Sequence, residues 1–123
     1  APRVLRDFVG VCEDRKNMTA VYGDATKPET YMDKLMEVDV VFQDVAQKSQ
    51  VQIFLKNCNL YLKQHGFGVL AVKAGSIAVE KKPREIFKDV KKELENSGKL
   101  VIVDYRELEP FEKDHCLFVV KWK

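Results

Sequence analysis

Hydrophobic residues recur at two spacings along the chain, and the switch between them marks out the elements. Val51, Phe54, Leu55, Cys58 and Leu62 fall at i, i+3, i+4, i+7 and i+11, one face of a helix over about 47–63. His65-Gly66 stops that helix, with Gly66 suited to the left-handed position beyond it. Pro83 opens a second helix to about Asn96, with Ile86, Phe87, Val90 and Leu94 inward and Ser97-Gly98 ending it. A third covers residues 1–16, with Pro2 in its first turn and Val4, Leu5, Phe8 and Cys12 on one stripe. Between these helices lie short runs of β-branched and aromatic residues, which predict strands at 18–22, 38–42, 67–73, 100–105 and 116–122. The 67–73 run, F-G-V-L-A-V-K, is apolar on both faces, as in a covered parallel sheet, and Ala74-Gly75-Ser76 breaks it. Thr26-Lys27-Pro28 reads as a loop, 29–36 as one or two helical turns, and 107–114 as a charged loop. Strands alternate with helices until the last two, which follow one another directly. That order predicts an α/β domain with a mixed sheet and an antiparallel final strand pair.

The length of 123 residues suits one domain, and the chain shows no repeat, linker or low-complexity segment. A net charge of +2 lacks the basic excess of a dedicated nucleic-acid binder, so contact with RNA calls for a local patch or a partner. Cys12, Cys58 and Cys116 are odd in number and widely spaced, which argues against a disulfide framework and against a metal site. Cys58 and Cys116 sit in apolar runs and read as small core residues. No apolar run is long enough for a membrane span and no secretory signal is visible, so a cytoplasmic protein is expected.

Candidate chemistry gathers where predicted strands end. Asp24, Asp44 and Lys73 each close a strand, and right-handed crossovers would bring all three to one edge of the sheet. Open α/β sheets bind ligands outside the carboxyl ends of their strands, which favours Asp44 as a ligand contact; a helix cap is the plainer alternative. Asp24, in G-D-A, also suits a turn, and Lys73 could simply snorkel into solvent. His115 opens the last strand and reaches the same edge if that strand runs antiparallel, although a lone histidine is usually structural.

Five stretches closely resemble fibrillarin. They are G-D-A-T-K-P (23–28), D-V-A-Q (44–47), V-L-A-V-K-A with the following S-I (69–74 and 76–77), P-R-E-I-F-K (83–88) and E-P-F-E-K-D-H (109–115). The opening P-R-V-L-R resembles the segment just after that family's second cofactor motif. The likeness covers the chain in order, and it is to the archaeal form, which lacks a glycine-arginine-rich tail. It implies a class I S-adenosylmethionine-dependent methyltransferase with a Rossmann-like fold, whose sixth and seventh strands pair antiparallel. The implied activity is 2′-O-methylation of ribose in rRNA or tRNA, inside a box C/D guide ribonucleoprotein of an archaeal cell. A Nop-domain scaffold protein would dock the subunit and the guide RNA would select the target RNA, which accords with a near-neutral chain.

By the same resemblance, Asp24 and Ala25 match the adenine-contacting pair. Asp44, Val45, Ala46 and Gln47 match the segment beside the methionine end of the cofactor. Asp44, Lys73 and His115 match members of a catalytic set in related 2′-O-methyltransferases, whose first lysine lies further toward the N-terminus. Methyl transfer from a sulfonium needs an in-line nucleophile, and a ribose hydroxyl is a poor one until its proton is lost or shared. The Lys73 ammonium could stabilise the developing alkoxide, with the Asp44 carboxylate placing it and keeping it charged. If burial lowered its pKa, Lys73 could act as general base instead.

The resemblance also sets expectations through its departures. The family's glycine-rich first strand-to-helix turn, and the acidic residue after its second strand, find no match in the chain. The chain is therefore expected to be the C-terminal part of a methyltransferase catalytic domain, inactive and poorly stable alone because it bares strand edges and half an apolar core. Gln43 stands where an acid often precedes D-V-A-Q, and Gly75 and Ala78 replace larger or charged residues. The missing glycine loop favours a second reading, a non-catalytic assembly surface in the same particle. A class I methyltransferase acting on a small molecule or a protein is the third, and E-P-F-E-K-D-H argues against it.

Overall fold

A computed structural model describes residues 2–123. Its elements run α1 (Pro2–Asp14), a 3-10 helix (Pro28–Lys34), β1 (Val38–Gln43), α2 (Gln50–Tyr61), β2 (Leu62–Lys73), α3 (Ala74–Ile77), α4 (Pro83–Asn96), β3 (Leu100–Glu107) and β4 (His115–Trp122). The four strands form one sheet in the order β1-β2-β4-β3. β1 and β2 are parallel, and both pairings of β4 are antiparallel. This is the mixed α/β sheet with an antiparallel last pair that the hydrophobic pattern predicts.

Register explains the core. Leu70 lies opposite Phe118, Val72 opposite Cys116 and Gly68 opposite Val120, so these side chains share one face of the sheet. Onto that face pack Val51, Phe54 and Cys58 of α2 and Ile86, Phe87, Val90 and Leu94 of α4, all buried. The inward residues expected for α4 are thus the observed ones. Both core cysteines are fully buried, and burial pushes their thiols up, Cys58 to about 12 and Cys116 to about 11. Gly68 is where the α2 layer comes closest: a Cβ there would lie 2.6 Å from Phe54 Cζ.

Three expectations are corrected. Residues 18–22 form no strand; the segment runs without regular structure, because no neighbouring strand offers it a ladder among the described residues. The sheet is covered on one face only: Val69, Leu117 and Val119 on the other are half-buried and Phe67 is exposed. Gly66 does not take the left-handed conformation; His65 does, at φ 67°. Gly66 is instead demanded by close approach, since a Cβ would meet Leu62 Cδ1 at 2.8 Å and the backbone oxygens of Asp39 and Lys63 at 2.9 Å. It sits where the register jumps from Val38–Leu62 to Val40–Phe67, so β2 is continuous with the end of α2 and bulges at 63–66. Ala74-Gly75-Ser76 ends β2 as expected, and does so by starting the short α3.

The predicted first helix is present as α1, residue 1 lying outside the described residues, but its stripe joins no core. None of its residues is buried; Val4 and Phe8 are exposed and Leu5 and Cys12 half-buried. No helix among the described residues is long and apolar enough to cross a membrane.

Candidate functional site

The carboxyl ends of β1 and β2 and the start of β4 meet at one end of the sheet. Because β4 runs antiparallel to β2, Lys73, the last residue of β2, is the register partner of His115, the first of β4. Residues so opposed project on the same face with their Cβ atoms roughly 5 Å apart. The main chain closes the junction: the Ala74 N–H donates to Asp114 O at 3.0 Å, and the Leu108 N–H to His115 O at 2.9 Å. On the other side of β2, β1 delivers Asp44 immediately after its last residue. Lys73 thus stands on the strand between those that carry Asp44 and His115.

Two clefts include residues of this end, and the larger continues along the length of β1. The larger, about 570 Å³, is lined by Ala25, Asp44 and Val45 together with Tyr31, Leu35, Val38, Val40, Val41, Phe42, Gln43, Asn57 and Tyr61. Three of the sequence-predicted cofactor contacts therefore share one apolar cleft. Asp24, Ala46 and Gln47 are exposed beside it and do not line it. His115 faces a second cleft of about 300 Å³, bordered by Lys82, Pro83, Arg84, Phe87, Glu107, Glu109 and Asp114.

Hydrogen bonds set the chemistry of each group. Asp24 Oδ1 accepts from the Thr26 N–H at 2.9 Å and the Thr26 hydroxyl at 2.7 Å, an Asx turn; these bonds hold its carboxyl below the ordinary 3.8. Its Oδ2 makes no hydrogen bond among the described residues. His115 Nδ1 lies 2.8 Å from Lys113 O. A carbonyl only accepts, so Nδ1 carries the proton and Nε2 keeps its lone pair when the ring is neutral. Lys73 and Asp44 are both exposed, and neither has an ion-pair partner within 4.0 Å among the described residues. The Asp44–Lys73 pair anticipated from the sequence is not formed.

Sequence reasoning missed the residues that hold the larger cleft together. Asn57 of α2 donates from Nδ2 to Ala25 O and to Ile53 O, both at 2.9 Å, and its Oδ1 accepts from the Tyr31 hydroxyl. Tyr31 stacks on Tyr61 with ring centroids 5.5 Å apart, and the Tyr61 hydroxyl donates to Pro28 O. These contacts tie the 24–31 segment to α2. An asparagine among the apolar turns of α2 was the available signal; its partners lie too far away in sequence for spacing to show them. Buried Gln50 was missed as well, and Gln43, also buried, was noted only as a departure from the family's acid.

The cleft fits S-adenosylmethionine by its donor and surface chemistry. It has apolar walls for a flat base and a carboxylate, Asp44, suited to a cationic group, while Asp24, exposed beside Ala25 outside the lining, carries an Oδ2 that can accept from an amine.

Comparison with known proteins places the chain among its relatives. A fibrillarin-like rRNA/tRNA 2′-O-methyltransferase of Pyrococcus abyssi is 50% identical over 121 residues, covering 98% of this chain and 52% of that protein. A fibrillarin solved in a fibrillarin/Nop5p complex superposes with a TM-score of 0.95 at 33% identity, over 100% of this chain and 58% of that one. Aeropyrum pernix fibrillarin, crystallised with natively bound S-adenosyl-L-methionine, superposes with a TM-score of 0.84 at 39% identity, over 98% of this chain and 52% of that one. The chain thus spans about half the length of the relatives it matches, and it shares their Rossmann-like methyltransferase fold. The fibrillarin profile matches residues 1–123, the whole sequence, and the chain belongs to the fibrillarin family.

Proposed function

We propose that this chain carries catalytic and cofactor-binding groups of an S-adenosylmethionine-dependent methyltransferase acting on the 2′-hydroxyl of RNA ribose. The observation that carries the reading is the pairing of Lys73 with His115 across the β2–β4 junction, on the strand next to the one that delivers Asp44 to the larger cleft. In this reading Asp24, Ala25, Asp44, Val45, Ala46 and Gln47 hold the cofactor, which supplies an electrophilic methyl group on a sulfonium.

Lys73 then serves the hydroxyl. Its ammonium is exposed and without a carboxylate partner, free to bind the ribose oxygen and stabilise the negative charge that grows there. The His115 Nε2 lone pair is available to accept the hydroxyl proton, since Nδ1 is committed to Lys113 O. Asp44, unpaired in this structure, balances the positive charge of the assembled site. Holding the hydroxyl in line contributes much of the acceleration. Work within a box C/D particle, with a Nop-domain protein and guide RNA supplying target recognition, accords with the net charge of +2 and with the Nop5p partner of the similar structure.

The test is methyl transfer by the purified protein combined with a Nop-domain partner, a guide RNA and a complementary target. Lys73→Ala should lower the rate roughly 100-fold or more while leaving the melting temperature unchanged, because the side chain is exposed. Full methylation by Lys73→Ala and Asp44→Ala variants would refute the assignment.

A further inference from the structure

We propose that Gln50, together with Gln43, is a positioning residue for the 44–47 turn, on the reading that this turn holds the cofactor. Gln50 opens α2 and is wholly buried, and Gln43 closes β1 at 7% exposure. Neither amide is packing filler, since a buried amide is costly unless hydrogen-bonded. The Gln50 Nε2 donates to Gln47 O at 2.7 Å, and the Gln43 Nε2 donates to Gln50 O at 2.7 Å. Two amide side chains therefore span the end of β1, the turn and the first turn of α2. Ser49, which caps α2, makes no side-chain capping bond, so the two glutamines add their side-chain bonds to the main-chain bond from Ile53 N–H to Ser49 O. Fixing Gln47 O sets the plane of the last peptide of the turn, and with it the direction of the neighbouring backbone groups.

Both bonds require a donor facing a carbonyl. An ionised acid only accepts, so a carboxylate at either position would face an oxygen instead of binding it. That gives Gln43 a physical role where the resemblance leads one to expect an acid: it adds a bond into α2. Gln50 Oε1 has no partner among the described residues, so the amide is held through its nitrogen alone. Gln50 does not line the larger cleft, so any effect of replacing it on a ligand there passes through the turn.

Gln50→Met conserves size and removes the donor. In the purified protein, hydrogen exchange at the amides of 45–47 should quicken about tenfold while β2 amides keep their protection. S-adenosylmethionine should bind about tenfold more weakly, and Gln50→Glu should resemble Gln50→Met rather than the parent. Unchanged exchange in the turn of a folded Gln50→Met variant would overturn the proposal, as would a Gln50→Glu variant equal to the parent. Should the parent bind no cofactor, as expected where the glycine-rich turn has no match, the exchange measurement alone decides the role of Gln50. Should Gln50→Met not fold, Gln43→Met, read by exchange alone, must loosen the same turn.

Discussion

Asp24 shows how one side chain can be both structural and available. Its Oδ1 is spent on Thr26, which closes the turn, and its Oδ2 makes no hydrogen bond among the described residues. The Thr26 bonds favour the ionised form and so lower the folded pKa. The contribution of the turn is then complete above the ordinary 3.8 and is lost as pH falls through the lower, folded value. A carboxyl-detected NMR titration should place the Asp24 midpoint below 3.8 and move it back toward 3.8 in Thr26→Ala. The cysteines offer a second check at this scale. With thiols raised to about 12 and about 11 and no exposed surface, Cys58 and Cys116 should resist a thiol-specific reagent in the folded protein, while half-buried Cys12 reacts. All three reacting at similar rates under native conditions would contradict the described core. The assignment of both cysteines to the core was legible from the apolar runs around them. The role of Asn57 was not, because its partners Ala25 and Tyr31 lie in a segment that only the fold brings to α2.

Among the elements, those that bury a full face could be read from spacing. The four inward residues of α4 follow from periodicity because the helix has one apolar stripe and a core to receive it. The 18–22 segment has the composition of a strand, but a strand is defined by a partner, and composition cannot supply one. α1 is the same lesson for a helix: the stripe is present and nothing packs on it closely enough to bury a residue. The His65-Gly66 corner was half legible; the break is where glycine indicates, but the positive φ falls on His65 and the close approach on Gly66. The tightest contact between helix and sheet gives the prediction at this scale. Gly68→Ala should destabilise by about 1–3 kcal/mol, because its methyl meets Phe54 Cζ at 2.6 Å and Val120 Cγ2 at 3.0 Å. Urea unfolding measures it. A neutral substitution would mean that Phe54 moves aside freely, against its complete burial.

For the molecule as a whole, the sheet order is what turns scattered residues into a site. β2 lies between β1 and β4, and its parallel and antiparallel pairings bring the end of one, the end of itself and the start of the other to a single edge. The sequence could anticipate that edge because each residue stands at a strand boundary. It could not anticipate that Asp44 and His115 would face separate clefts, or that Asp44 and Lys73 would stand unpaired, since these depend on the twist of the sheet and on where α2 and α4 rest. The apolar face carrying Phe67, Val69, Leu117 and Val119 is incompletely covered.

The most direct test of the account is a titration of the isotope-labelled protein with S-adenosylmethionine, followed by amide NMR shifts. The account predicts that the largest changes fall at Asp24, Ala25 and residues 44–47, and that Asp44→Ala abolishes them. Changes centred on the cleft beside Lys82 and Arg84, or changes at residues 44–47 that persist in Asp44→Ala, would contradict it.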